Sequence, residues 1–174
     1  SGWNNTDGII DFCLKLEDAG ADLISVHGRT RSQGYRGMAD LNIIKEIKEA
    51  INIPVLGNGD VIDVKTAQNL IKKTSCDGLL IGRGALGNPW IFSSIEKGID
   101  ETKNVSINER IDVVLRHLDL HLNHYGQNGY ITFKKHIVFY FKNIELLNAK
   151  KIRTSLVLAK NADEMKEILK SLKF

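Results

Sequence analysis

The sequence is poor in the features that mark special protein classes. It has only two cysteines in 174 residues, Cys13 and Cys76, far apart and in no CxxC pair. Two thiols so placed build no disulfide framework, and they are expected to be reduced, buried side chains in a cytoplasmic protein. No apolar run approaches the roughly 18–20 residues that cross a bilayer, so no membrane association is expected. The opening stretch, SGWNNTDGII, lacks a basic segment followed by an apolar one and does not read as a secretory signal. Strong charge is missing too: the net value of +3 is too small to announce a polyanion binder.

What is present is a globular composition, 43% apolar and 26% charged, of a length that suits one domain or somewhat more. Charge is unevenly spread. Residues 1–104 hold 12 basic against 14 acidic side chains, while residues 105–174 hold 12 against 7 and four of the five histidines. The second part is therefore expected to face something negative.

The two parts also differ in period. Residues 7–19, 39–51 and 63–73 carry apolar residues at helical spacing, with Asp7 and Asp40 as expected N-caps of the first two. After each helix comes a short apolar run: LISVH (23–27), IPVLG (53–57) and LLIG (79–82). This alternation predicts parallel strands with helical crossovers, at a spacing that suits successive units of a (β/α)8 barrel. Three strands cannot close a barrel, so the sequence is expected to be the C-terminal portion of one. From Ser106 onward only helical patterns remain. Ser106 with Glu109 forms a capping box, and helices are predicted over 106–126, 130–142, 143–158 and 161–173, the last opened by Asn161 or Asp163. The expected division is a barrel portion over 1–96, a polar linker over 97–105 and a small helical bundle over 106–174.

In parallel α/β sheets, ligands sit beyond the C-terminal strand ends. Three loops lie there. VHGRTRSQGYRG (26–37) packs His27, Arg29, Arg31 and Arg36 among glycines, more arginine than a plain loop needs. GNGD (57–60) brings Asn58, Gly59 and Asp60, and IGRGALGNPW (81–90) sets Arg83 between Gly82 and Gly84. Read singly, the last two are turns. Read together, they are a phosphate site made of backbone N–H groups and a guanidinium. At this level both readings stay open.

The stretch GADLISVHGRTRSQGYRGMADLNIIKEIKEAINIPVLGNGDV, followed by CDGLLIGRGALGNPWIF, closely resembles the bacterial-type tRNA-dihydrouridine synthases. FKKHIVFYF (133–141) is similar to a helix of the same family. The resemblance implies an FMN-containing (β/α)8 barrel with a C-terminal helical tRNA-binding domain, NADPH as reductant, and reduction of uridine in tRNA. It places His27, Asn58, Gly59, Asp60, Gly82 and Arg83 at flavin-binding positions, with His27 nearer the ring and the others nearer the phosphate. It puts Arg29 and Arg31 on the loop facing the uridine and its phosphates, and Lys134, Lys135 and His136 in a basic cluster for tRNA. No metal is implied, and the full-length protein is expected to be monomeric.

The departures are equally specific. The family's catalytic cysteine lies in an Asn-x-Gly-Cys-Pro context that does not occur here, and its active-site lysine precedes the Gly-Trp found as Gly2-Trp3. No catalytic residue is therefore expected within these residues, and the piece is expected to be inactive by itself. Phe133 and Phe139 replace the arginine and tryptophan usual in the family; together with Phe141 they are expected in the core. Tyr130, Phe133 and Tyr140 interleave the basic residues. Two other functions stay open on the residues alone: a flavin or sugar-phosphate barrel enzyme acting on a small metabolite, and a protein that only binds RNA.

Overall fold

The computed structural model describes residues 1–102, 104–142, 144 and 148–173. They divide into two compact units, Ser1–Ala85 with Ile91–Asp100, and Leu86–Trp90 with Glu101–Phe174.

The first unit is a three-stranded parallel sheet with helices. Strands β1 (Ile24–His27), β2 (Val55–Asn58) and β3 (Gly78–Leu79) lie in the order β1-β2-β3. Parallel neighbours need a crossover, and α2 (Leu41–Ala50) and α3 (Val64–Thr74) supply the two required. α1 (Ile9–Asp18) precedes β1, and α4 (Ile91–Lys97) follows β3. Ile44, Ile47, Val55, Ala67 and Leu70 form the centre of the core, each essentially inaccessible to water. Burying one such aliphatic side chain contributes about 1.5–3 kcal/mol. Cys13 and Cys76 are free thiols in the same core, as their spacing suggests. The arrangement is consistent with part of a barrel.

Local chemistry starts most of these helices. Asp40 accepts the Asn42 N–H at the head of α2, and Asp63 and Thr66 cap each other reciprocally at the head of α3. Asp7, expected to cap α1, does not. Gly8 occupies the cap at φ 71°, and the Asp7 carboxylate is held by Asn5 Nδ2 at 2.6 Å. The third strand is also shorter than LLIG suggests. Leu80 N–H still bonds Gly57 O at 3.0 Å, but the chain then leaves the ladder for a single 3-10 turn, Arg83–Ala85. Seven-residue α4 is too short to show a helical period and is not legible in the sequence.

The second unit contains α5 (Ile107–Tyr125), α6 (Gly129–Tyr140), α7 (Ala149–Leu158) and α8 (Ala162–Lys170) around a separate core that includes Val114, Leu118, Phe133, Ile137, Leu156 and Met165. Ser106 accepts the Glu109 N–H and Asn161 accepts the Glu164 N–H, so both helix starts follow their sequence signals. The helix expected over 143–158 begins at Ala149; residues 143 and 145–147 of that stretch lie outside the described residues. Phe133 and Phe141 are buried as expected, but Phe139 is 36% exposed. Two residues along a helix turn the side chain by about 200°, so Phe139 points away from the core that takes Ile137. No described helix is long and apolar enough to cross a membrane.

Candidate functional site

The sheet register sets His27 beside Asn58, so β1 and β2 end level with one another. The chain that continues from the three strand ends encloses a cavity of about 330 Å³. All six residues singled out as cofactor positions line it: His27, Asn58, Gly59, Asp60, Gly82 and Arg83. Segments far apart in sequence therefore meet at the sheet edge where ligands of parallel α/β proteins bind.

Asp60 organises the charges of this cavity. Its two oxygens take Arg29 Nη2 at 2.7 and 2.6 Å, Oδ2 also takes the Ala39 N–H at 2.8 Å, and Oδ1 lies 3.3 Å from Arg83 Nη2. Burial alone would raise its carboxyl; the Ala39 N–H and the Arg29 guanidinium outweigh that and hold it below the ordinary value. Positive φ at Gly59 (154°) and Asp60 (53°) folds the turn so that the carboxylate reaches back to both arginines. A carboxylate would repel an anion, so the part Asp60 takes at a phosphate site is indirect: it holds Arg83. Two guanidiniums against one carboxylate leave the group with a net charge of about +1 at neutral pH.

Arg29, expected on the loop that faces the substrate, has its side chain turned into the protein. It is 7% exposed. Besides Asp60, its guanidinium donates to the carbonyls of Gly34, Arg36 and Gly37 at 3.4, 3.2 and 2.9 Å. Arg36 likewise turns back on the loop, donating to Ser32 O at 2.8 Å. Two of the three arginines thus brace the loop that carries them, because its carbonyls have no ladder to bond. Arg31 and Arg36 are both exposed, and the Arg31 guanidinium lies 5.9 Å from the centre of the Trp3 ring. Its segment is tied to the start of the chain by Arg31 N–H to Gly2 O (3.0 Å) and Ser32 N–H to Trp3 O (2.8 Å).

The remaining groups fit a phosphate-ended ligand. The first N–H groups of a helical turn have no acceptor within it, and Gly82–Gly84 lead into such a turn at the cavity wall. A Cβ on Gly82 would project into open space, so the backbone there is approachable. The Arg83 side chain is half exposed and supplies the mobile charge. Asn58 spends its amide Nδ2 on Leu80 O, joining the ends of two strands. His27 is held below the ordinary imidazole value, first by burial and then by the Arg29 charge, so it is neutral at pH 7 and can donate or accept one hydrogen bond. Tyr35 was not legible as a site residue. It lines the cavity with its ring 4.1 Å from the Arg83 guanidinium carbon, and the available signal was a lone aromatic in a Gly/Arg-rich loop.

Gly84 closes the turn against the next loop, where a Cβ would overlap the Val61 carbonyl oxygen. Gly84→Ala is expected to cost about 1–3 kcal/mol, the usual penalty of overpacking. A shift of the urea midpoint would register it, and an unchanged midpoint would show that the loop yields freely.

The motif IGRGALGNPW is shared between the units. Its first part, through Ala85, belongs to the first unit, with Ile81–Gly84 lining the cavity, and Leu86–Trp90 belongs to the helical unit. There the 8%-exposed Arg110 donates to Gly87 O and Tyr140 O at 3.4 and 3.2 Å and lies 4.9 Å from the Trp90 ring centre. Trp90 Nε1 donates to Glu109 Oε1 at 2.8 Å. No local pattern announces Arg110.

On α6, Lys135 is exposed, Lys134 and His136 are half-buried, and Lys134 Nζ lies 5.2 Å from the Tyr130 ring centre. Phe133 and Tyr140 are buried in the core, so of the three interleaved aromatics only Tyr130 stays partly accessible. Among the described residues, no group of three or more His, Cys, Asp or Glu is arranged to hold a metal ion.

A parallel α/β unit with glycines, a half-exposed guanidinium and a paired carboxylate around a cavity at its strand ends belongs to the class of α/β proteins whose strand ends carry the binding site. More specifically, the chain belongs to the dihydrouridine synthase family, whose family model matches residues 1–173. It is 34% identical over 172 residues to a probable tRNA-dihydrouridine synthase 1 of Synechocystis, covering 97% of this chain and 48% of that protein. To a probable tRNA-dihydrouridine synthase of Rickettsia conorii it is 39% identical over 144 residues, covering 80% and 44%. To tRNA-dihydrouridine synthase B of Pasteurella multocida it is 33% identical over 150 residues, covering 83% and 45%. The chain thus spans about half the length of the curated relatives it matches.

Proposed function

We propose that this chain is the C-terminal part of a (β/α)8 tRNA-dihydrouridine synthase, an oxidoreductase acting on uridine in tRNA in the cytoplasm. In this reading the first unit grips the phosphate end of FMN and the second is a helical tRNA-binding domain. The observation that carries it is the meeting of Arg83, the glycine-flanked turn and the neutral His27 in one cavity at the strand ends. When bound, FMN, reduced by NADPH, supplies the hydride that saturates the uracil ring.

The protein's own residues do the holding. Arg83 and the N–H groups of the 82–84 turn neutralise and orient the phosphate, Asp60 keeps Arg83 in place, and Asn58 and Gly59 shape the turn beside it. His27 offers a single neutral hydrogen bond toward the ring end. Arg31, exposed next to Trp3, is available to the phosphates around the target uridine. Neither cysteine lines the cavity, so neither is given a part in the chemistry.

Charge reversal at Lys134 and Lys135 tests the division of labour. Losing two phosphate contacts is expected to weaken tRNA binding and lower its salt slope by about 2, since each such lysine contributes about 1. Flavin binding should be unchanged. Full tRNA affinity with both charges reversed would remove the second unit from the tRNA interface.

A further inference from the structure

Three imidazoles meet along the seam of α5 and α6. His117 and His121 are one turn apart on α5 and His136 faces them from α6, with ring centres 5.5 Å (117–136), 5.8 Å (121–136) and 6.4 Å (117–121) apart. Tyr125 continues the row 4.5 Å from His121, and His124 meets the Tyr125 ring at 4.5 Å. The rings lie side by side rather than converging on one point. His117 Nδ1 is 3.0 Å from the Tyr140 hydroxyl, and His121 Nε2 is 2.8 Å from Thr132 Oγ1. Thr132 gives its only hydroxyl proton to Gly129 O at 2.9 Å. His121 Nε2 must therefore carry the proton in that contact, leaving Nδ1 as the site that takes up a second one.

The charged groups acting on this seam are all cationic: Lys135 on His121 and His136, His124 on His121, and the imidazoles on one another. Among the described residues, the acids of α5 are turned elsewhere. Asp119 pairs with Lys166 at 2.6 Å and Asp112 pairs with Lys173, both toward α8, while Glu109 holds Trp90. The acids of α8 itself, Asp163, Glu164 and Glu167, lie on a helix that meets α5 on that same side. Neither α6 nor α7 contains an Asp or Glu. Partial burial, with no counter-charge among the described residues, keeps all three imidazoles below their ordinary value and neutral at pH 7. Such a seam lacks one thing that would let it charge, an anion.

We propose that the α5–α6 seam seats an RNA phosphate on His121, His136 and Lys135, and that the phosphate draws protons onto the imidazoles, so that RNA affinity rises as pH falls. The inference rests on the reading of this unit as a tRNA-binding domain and adds to it a proton-linked contact. An RNA phosphodiester stays singly charged across this range, so the pH dependence belongs to the protein. Each proton taken up with the ligand steepens the affinity by up to tenfold per pH unit. Without an anion the sign reverses. Groups depressed in the folded state cost stability as pH falls below 6.5, because the unfolded chain then binds more protons.

The test is tRNA affinity of the chain by fluorescence anisotropy at constant ionic strength, at pH 7.5 and 5.5. Affinity should rise at least about tenfold, as uptake of one proton across this interval allows, and His121→Gln with His136→Gln should flatten the response to less than about twofold. An NMR titration of the unaltered chain gives an independent reading, in which the His121 and His136 pKa values should rise when tRNA is added. Binding that is tight but independent of pH would overturn this inference and leave the tRNA-domain reading standing. No binding at either pH would overturn both. Inorganic phosphate shifting the two imidazoles as far as tRNA does would overturn the assignment to RNA in favour of a free-phosphate site.

Discussion

Asp60→Ala is expected to destabilise the first unit by about 3 kcal/mol, the lower end of the range for removing one partner of a buried ion pair. The Arg29 side chain is 4% exposed and Asp60 32%, so the guanidinium is left charged, desolvated and without its counter-ion. The loop it braces should loosen with it, since the same guanidinium holds the carbonyls of residues 34, 36 and 37. Asp60→Asn separates charge from backbone: asparagine tolerates the left-handed conformation at φ 53°, so only the charge and part of the hydrogen bonding are lost. A urea midpoint for Asp60→Asn equal to that of the unaltered chain would show that the ion pair contributes little, and equal midpoints for the two variants would show that the left-handed backbone at this position does. Because the Asp60 carboxyl lies below its ordinary 3.8, its stabilisation is complete above that pH and disappears as pH falls through the lowered value. The asparagine variant should lack that acid step.

The second large effect is on binding. Arg83→Ala should weaken FMN about 10- to 100-fold, as expected for one charge-assisted hydrogen bond of about 1.5–3 kcal/mol, and should leave riboflavin, which has no phosphate, unaffected. Fluorescence quenching on titration reads both. Equal losses for the two ligands would place Arg83 away from the phosphate. The fold should tolerate the change: the side chain is 53% exposed, its contact with Asp60 is 3.3 Å long, and an exposed pair of that kind contributes little. Arg83→Lys should recover only part of the affinity, because an ammonium lacks the bidentate fork and stacks less well on the Tyr35 ring, 4.1 Å away.

How much of this is legible in the sequence depends on how far each signal reaches along the chain. Asp40, Ser106 and Asn161 begin helices through contacts two or three residues away, and the helix starts they imply are observed. Asp7 has the same chemistry but is held by Asn5, and one glycine moves the cap past it. The apolar run 79–82 promises a full strand, yet β3 ends at Leu79 because the chain turns to form the cavity wall. Arginines are hardest to read. Arg29, Arg31, Arg36 and Arg83 share a residue type and a glycine-rich setting, yet Arg36 bonds within its own loop while the other three meet partners more than twenty residues away.

By itself the sequence determined the alternation of helices and parallel strands, the helical second part and the three loops that carry the site chemistry. These depend on periodicity and on near neighbours, which one chain displays directly. Only the tertiary structure decided which polar groups line the cavity and which face each other. It paired Asp60 with Arg29, kept Arg83 at the mouth beside Tyr35, divided the Gly-Arg-Gly and Asn-Pro-Trp halves of one motif between two units, and gathered His117, His121 and His136 on one seam. A charge is satisfied by whatever lies within a few ångströms, and that distance is set by the fold rather than by sequence separation.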